Sequence, residues 1–222
     1  MSHSSLAIYV YTAVYGGYDV IKPPELTPRP TQYWYWYCLT DGATSPPQPY
    51  QSRTVPCDLS PRRCARRCKI LSHRMFPDAQ FTIWHGGNVQ LRGDISALLN
   101  LASATGVAVL EHSERNCVYH EAVACIDWRL DDTAVIKRQM ARYRDAGFPN
   151  HYGLSAAFLI VRRHTLAIQE LNDLWWHEVS TGSVRDQLSF DYCCWKLGIR
   201  PAIIPGDIFT GPYHKRFPIH KR

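Results

Sequence analysis

The first side chains in this 222-residue sequence whose spacing could do chemistry are thiols and imidazoles. Cys57, Cys64, Cys68 and His73 place three thiols and one imidazole within seventeen residues, the ligand types of tetrahedral zinc. Their intervals fit no familiar finger or ribbon. Cys64 and Cys68 stand four apart on an expected helix, where half-buried thiols need no metal, so structural zinc is not expected. The eight cysteines, Cys38, Cys57, Cys64, Cys68, Cys117, Cys125, Cys193 and Cys194, are read as free thiols in a chain too large to need disulfides for its core.

A second set is basic. Arg62, Arg63, Arg66, Arg67, Lys69 and Arg74 cluster in one stretch, and His214, Lys215, Arg216, His220, Lys221 and Arg222 in another. With a formal charge of +6 and a pI near 8.9, they imply a polyanionic partner: a nucleotide diphosphate, an anionic glycan, a membrane surface or nucleic acid. The competing reading of each cluster is a solvated face or tail. A third set lies in loops after apolar runs, and comprises small and aromatic residues, the carboxylate of Asp41 and the amide of Asn88. No Walker lysine loop, Gly-x-Gly-x-x-Gly with a following acid, or Gly-x-Ser-x-Gly elbow is present, which disfavours kinase, dehydrogenase and hydrolase chemistry.

The elements that position these residues follow from periodicity and turn chemistry. Leu6 to Thr12 predicts a buried strand running into the glycine loop Ala13-Val14-Tyr15-Gly16-Gly17-Tyr18-Asp19. Tyr33 to Leu39 predicts a second strand closed by Thr40-Asp41-Gly42, followed by a loop over Ala43 to Pro56. Pro61 to His73 predicts a helix with proline in its first turn, and Phe81 to Trp84 a third strand. Asp94 is expected to cap a helix reaching Ala104, with Ile95, Leu98, Leu99 and Ala102 on one side, before a strand over Val107 to Leu110. Helices around Asn116 to Trp128 and Asp132 to Ala146, a strand over Ala156 to Val161, helices over Thr165 to Val179 and Arg185 to Leu197, and a last strand over Pro201 to Ile204 complete the pattern.

Alternating strands and helices predict an α/β Rossmann-type sandwich, a mostly parallel sheet flanked by helices with ligands beyond the carboxyl ends of its strands. One domain over 1–222 is expected, with a nucleotide-binding part at about 1–110 and an acceptor-side part at about 111–222. There is no run of eighteen apolar residues and the amino terminus lacks the layout of a secretory leader, so a cytoplasmic setting without a transmembrane segment is expected.

Several segments in order carry a family resemblance. They are Val10-Tyr11-Thr12-Ala13-Val14-Tyr15-Gly16-Gly17-Tyr18-Asp19, Tyr37-Cys38-Leu39-Thr40-Asp41, and Phe76-Pro77-Asp78-Ala79-Gln80-Phe81-Thr82-Ile83-Trp84-His85-Gly86-Gly87-Asn88. Glu111-His112-Ser113-Glu114-Arg115, Tyr119-His120-Glu121-Ala122, Gly153-Leu154-Ser155, Arg162-Arg163-His164-Thr165 and Arg185-Asp186-Gln187-Leu188-Ser189-Phe190 follow. Across nearly the whole chain they resemble the glycosyltransferase-like domain of bacterial polysaccharide loci and plant mucilage-related proteins. The resemblance implies a GT-A fold similar to the glycogenin-like retaining galactosyltransferases, and a nucleotide-sugar donor, UDP-linked or otherwise.

By the same resemblance Thr12, Ala13 and Tyr18 flank the base and Asp41 lies near the base or ribose, unless Asp41 only forms a turn. Asp186 and Gln187 match an Asp-Gln pair that contacts the donor sugar, which makes them the catalytic candidates; the competing reading of Asp186 is a helix cap. Trp84, Gly87 and Asn88 belong to the donor site. The family's segment resembles Trp-x-Asp-Gly-Asn, and here Gly86 stands where that aspartate would be. With that carboxylate missing, a manganese or magnesium ion would have only Asn88, His85 and His214. Alternatively Arg66, Lys69, Lys215 and Arg216 neutralise the leaving diphosphate directly.

His112, Arg115 and Glu114 are placed on the acceptor side, while His120 and Glu121 read equally as surface. Tyr15, Trp84 and Tyr152 are candidate sugar-stacking rings, whereas Trp175, Trp176 and Trp195 read as packing aromatics. The expected reaction moves a sugar to a hydroxyl of a glycan, a lipid-linked glycan or a hydroxymethylated DNA base, with polysaccharide biosynthesis as the common setting. The other class is a catalytically impaired sugar-nucleotide or glycan binder, motivated by Gly86.

Overall fold

The computed structural model describes residues 7–28 and 33–218. Leu6 and the basic tail His220, Lys221 and Arg222 lie outside them. Strands β1 (Ile8–Val14), β3 (Trp34–Thr40) and β5 (Phe81–His85) form the parallel centre of a seven-stranded sheet, with β4 (Gln51–Thr54) on the β3 edge. Beyond β5 come β8 (Ser155–Arg163), β7 (Val107–Glu111) and β9 (Ala202–Ile203), in the order β4-β3-β1-β5-β8-β7-β9. Among these strands β8 alone runs antiparallel to its neighbours. The mostly parallel α/β sheet is the architecture expected from the sequence. A smaller sheet of β2 (Glu25–Leu26), β6 (Val89–Gly93) and β10 (His214–Arg216) sits after β5.

Strand alternation divides the core. Tyr11 and Ala13 of β1 face one cluster with Leu39, Trp84 and Ile160, while Ile8, Val10 and Val14 face a second with Ile83, Leu98 and Val161. Helices α1 (Pro61–Ile70), α4 (Val118–Asp127), α5 (Thr133–Asp145), α6 (Leu166–Thr181) and α7 (Gln187–Lys196) cover the first face, and α3 (Ala97–Thr105) covers the second. The caps are side chains that the sequence supplies. Ser60, Asp132 and Thr165 accept from Arg63, Val135 and Ile168 backbone N–H groups, each worth about 1 kcal/mol.

Several expectations are corrected. The single helix over Pro61 to His73 breaks at Leu71, whose ψ of 47° leaves the helical range, and resumes as the short α2 (Ser72–Met75). Buried Ser72 at the joint meets His164 and Asn172. Asp94 does not cap α3; its carboxylate accepts from Ser96 N and Oγ, and the helix starts at Ala97. The loop over Ala43 to Pro56 contains β4, a polar edge strand without an alternating apolar signature. Cys57 and Cys64 are not free thiols but a disulfide, because the turn through Ser60 into α1 brings their Cα atoms to 5.9 Å. That bridge removes two of the four ligands weighed for zinc.

Candidate functional site

The carboxyl ends of β1 and β3 are tied by one side chain. The exposed Asp41 carboxylate accepts from Gly16 N at 2.7 Å and Ala43 N at 3.1 Å, bonds that hold its pKa below the usual carboxylate value, the Gly16 bond most of all. Gly16 and Gly17 have φ of 67° and 61°, the left-handed region glycine enters at no steric cost. Asp41 thus shapes the glycine loop as well as closing its own turn. Beside it, Thr12 is fully buried with no hydrogen-bond partner for Oγ1, Ala13 is buried, and Tyr18 is exposed.

At the end of β5, His85 is buried, with Nε2 2.9 Å from Tyr50 Oη and Nδ1 2.9 Å from Gly86 O. Burial lowers its pKa to about 4, so it is neutral and locks the turn. A Cβ on Gly87 would lie 2.7 Å from Asp19 Cβ and 2.9 Å from its Oδ2, so glycine here lets the β1 loop bring a carboxylate against the turn. Asn88 donates from Nδ2 to Phe217 O at 2.9 Å and its carbonyl accepts from Phe217 N, pinning the carboxyl-terminal segment across the same turn.

A buried charge cluster sits at the start of α7. Asp186, 5% exposed, pairs through Oδ2 with Lys69 Nζ and through Oδ1 with Arg66 Nε at 3.0 Å. Trp175 Nε1 donates to the Asp186 carbonyl at 2.9 Å, and its ring lies 5.3 Å below Lys69 Nζ. Arg162, fully buried, donates to the Lys69 carbonyl at 3.0 Å, leaving Nε and Nη2 without partners. Burial alone would raise the Asp186 pKa, but Arg66 and Lys69 hold it well below the carboxylate range. Burial lowers Lys69 to about 8, against the opposing pull of Asp186. Asp186 makes no side-chain cap to α7, which overturns the capping alternative, since both oxygens serve cations.

Arg62 and Arg185 act electrostatically on this cluster, and Arg185 in turn on Arg216. Burial lowers the pKa of Arg62 and of Arg216, and in each the nearby Arg185 guanidinium lowers it further, while Asp19 partly offsets the effect at Arg216. Arg185 Nε is buried without a hydrogen-bond partner. Arg185 thus lies within electrostatic reach of both Arg62 and Arg216, a placement that favours an anion beside it.

The loop after β7 forms a neighbouring wall. His112 Nδ1 accepts from Glu114 N and Arg115 N, both at 3.2 Å, and Arg115 Nε donates to buried Glu121 at 2.6 Å. Residues 111–116 line a depression of about 450 Å³. Gln187 Nε2 donates to Ser155 O at 3.0 Å. One turn on, buried Asp191 accepts from Ser155 N at 2.7 Å and Oγ at 2.6 Å, and burial lifts its pKa to about 6. A second depression of similar size, lined by Gln80, Phe81, Ser103 and Arg163 to Thr165, lies at the opposite end of β5 and touches none of these groups.

A profile for the "TOD1/MUCI70, glycosyltransferase-like domain" matches residues 53–210. The chain belongs to that family. It is 30% identical over 141 residues, 58% of the chain, to "Probable hexosyltransferase MUCI70" of Arabidopsis thaliana, and 26% identical over 136 residues, 56% of the chain, to "Alkaline ceramidase TOD1" of the same plant. These alignments take in 24% and 29% of the two relatives, so the chain spans about a quarter of the length of the curated relatives it matches. Among solved structures, mouse xyloside xylosyltransferase 1 in its apo form overlays with a TM-score of 0.47 at 8% identity, covering 90% of this chain and 84% of that one. The family match starts at Arg53, so strands β1, β2 and β3, with Thr12, Ala13, Tyr18 and Asp41, and also His214 and Lys215, fall outside it.

Within this TOD1/MUCI70 domain, the structure brings together Asp186, Arg66 and Lys69, and separately Gly87, Asn88 and the carboxyl-terminal segment. Lys69 is spent on Asp186 and buried, so it is not positioned to receive a diphosphate as expected. Trp84 and Tyr15 are core aromatics, 2% and 5% exposed, and do not offer sugar-stacking faces. Tyr152 is half-buried under the Arg200 guanidinium, and Lys215 is exposed over Phe217. Sequence reasoning placed Arg62 in a basic cluster but did not single out Asp19, Arg185, Arg162 or Asp191. Of these, the Arg185 and Asp191 positions, flanking Asp186 and one turn beyond Gln187, carried a readable signal.

The donor set does not fit a hard dication held by paired carboxylates. His85 has both nitrogens engaged, and His214 is fully buried with Nε2 2.9 Å from Asp207 O. Asp19 supplies one carboxylate and Asn88 a neutral amide. His85 is therefore corrected from a ligand to a turn lock, and His214 secures the 206–211 loop, where glycines 206 and 211 leave room for its ring.

Among the described residues no helix is long and apolar enough to cross a membrane.

Proposed function

We propose that this domain transfers a hexose from a nucleotide diphosphate sugar to an acceptor hydroxyl, with the diphosphate held by arginines in place of a metal. The observation that carries the reading is Arg185, whose buried Nε has no hydrogen-bond partner and whose guanidinium lies within electrostatic reach of Asp186, Arg62 and Arg216. The sugar C1–oxygen bond breaks as the acceptor oxygen bonds to C1. The electron pair leaves with the diphosphate, whose growing charge Arg185 and Arg216 stabilise, and the acceptor proton ends on the released phosphate or on solvent. Asp186 stays ionised throughout and fixes Arg66; Gln187 orients the sugar from the same turn. Asp41 and Tyr18 take the base side, and His112, Arg115 and Tyr152 the acceptor side.

The test is a panel of nucleotide sugars, UDP-linked donors included, scored for released nucleotide and sugar transfer with manganese, with magnesium and with EDTA. Acceptors are glycans, lipid-linked glycans, and hydroxymethylated against unmodified duplex DNA. Turnover that persists in EDTA and falls at least tenfold in Arg185→Gln is expected. Donor binding without turnover on any acceptor refutes the enzyme and leaves the impaired binder, the reading that glycine at position 86 favours. Because one relative is named a ceramidase, ceramide is included, and fatty-acid release without nucleotide release would displace both readings. The Cys57–Cys64 bridge fits an oxidising compartment better than the cytoplasm. Alkylation and mass analysis of the bridge in protein taken from its native setting decides between them.

A further inference from the structure

Outside this site, one cluster of soft and borderline ligands converges from two distant stretches of chain. Cys117, His120 and His151 each present a ligand atom within 4.8 Å of the others. We propose that they bind a borderline divalent cation, zinc by chemistry, which staples the start of α4 to the loop before β8. The inference is independent of the transferase reading.

Three observations support it. First, Cys117 occupies the N-cap position of α4 but makes no capping hydrogen bond, so its buried thiol is not spent on the helix. His120 follows three residues later, one helical turn along the same face. Second, His151 Nδ1 lies 2.7 Å from Asn116 Oδ1. An amide oxygen only accepts, so Nδ1 carries the proton and Nε2 the lone pair, the arrangement by which an outer partner presents a histidine to a metal. Third, His151 holds φ of 55°, a left-handed conformation disfavoured for a side chain bearing a Cβ, while Gly153 N donates to Asn116 O at 3.0 Å to fix the same loop.

The rings of His120 and His151 already meet edge-on at 5.0 Å. An ion with bonds of about 2.0 to 2.3 Å would draw the three ligands to roughly 3.5 Å from one another, a closure that the two exposed histidines supply by rotation. Two imidazoles and a thiolate without a carboxylate select zinc or cobalt over magnesium or calcium. Three protein ligands leave the fourth position to water. The staple would stiffen the wall of the depression lined by residues 111–116.

The experiment titrates tag-free, full-length protein with cobalt(II) and then displaces it with zinc. One equivalent of cobalt with thiolate charge-transfer absorption in the near ultraviolet is expected. Cys117→Ala should abolish the band, and His120→Ala, at an exposed position that leaves folding intact, should weaken binding at least tenfold. His73→Ala, at the zinc set first considered from sequence, should change nothing. Absence of the band, or its survival in Cys117→Ala, overturns the proposal, as does equal affinity in His120→Ala with its far-ultraviolet spectrum unchanged.

Discussion

Replacing Asp186 by Asn tests whether the buried cluster is held together by charge. The change keeps the shape of the side chain and removes the counter-ion of Lys69, which is 4% exposed. Leaving one member of a buried pair uncompensated costs about 3 to 5 kcal/mol. Lys69 can escape part of that cost by releasing its proton, because burial already lowers its pKa to about 8 from an ordinary 10.5 and Asp186 is the chief group opposing that shift. In the variant Lys69 becomes neutral in the fold at lower pH while remaining charged in the unfolded chain. The unfolded state then binds more protons, so stability rises with pH by about 1.4 kcal/mol per unit over that window. In the parent protein the same rise begins only above about pH 8. The deficit of the variant should therefore shrink by roughly 2 kcal/mol between pH 6 and 8. Urea unfolding at several pH values, followed by the fluorescence of tryptophans such as Trp175, whose indole bonds the Asp186 carbonyl, gives the measurement. A deficit that stays constant from pH 6 to 8, or one below 1 kcal/mol throughout, refutes the reasoning.

Asp191 should act in the opposite sense. Its pKa is raised from 3.8 to about 6, so its protonated form favours the fold below pH 4 and that benefit is lost as pH rises through 6, a swing of roughly 3 kcal/mol. Asp191→Asn, which can still meet both Ser155 groups, should remove that loss in a stability profile between pH 4 and 7. Gly87→Ala should cost about 1 to 3 kcal/mol, because its Cβ would sit 2.7 Å from that of Asp19, whereas Gly86→Ala, 3.2 Å from the Asn88 oxygen, should cost less in the same unfolding assay. Gly86→Asp should add a carboxylate beside Asn88 and raise manganese affinity by calorimetry; no change in metal response would remove the assignment of this turn to the donor site.

The sheet was legible because its central strands are apolar runs broken by glycine and proline. Tyr11 and Val10 announce two buried faces without any knowledge of the partner strands. Strand β4 was not, since Gln51 to Thr54 owes its conformation to pairing with β3 rather than to its own side chains. The same distinction runs through the site. Asp186 was visible from its motif, but its clamp by Arg66 and Lys69 spans 117 residues in the Lys69 pair and is fixed only when α1 packs against α6 and α7. Asp19 was passed over because its significance lies in what Gly87 lacks. The Cys57–Cys64 bridge was hidden for a different reason: it exists only because the turn at Ser60 folds Cys57 back against the first turn of α1, which chain length and composition do not reveal.

Strand β8 runs against its neighbours, so the chain leaves the sheet at Glu111 and re-enters at Ser155, its direct partner across the ladder, and His112 N donates to Leu154 O at 2.8 Å to continue the pairing. The segment between, including α4, α5 and the depression beside His112, thus joins the sheet through one pair of adjacent backbone positions and is otherwise held by its side chains, with Tyr119, Ile136 and Met140 in the core and Arg142 paired with Glu178 of α6.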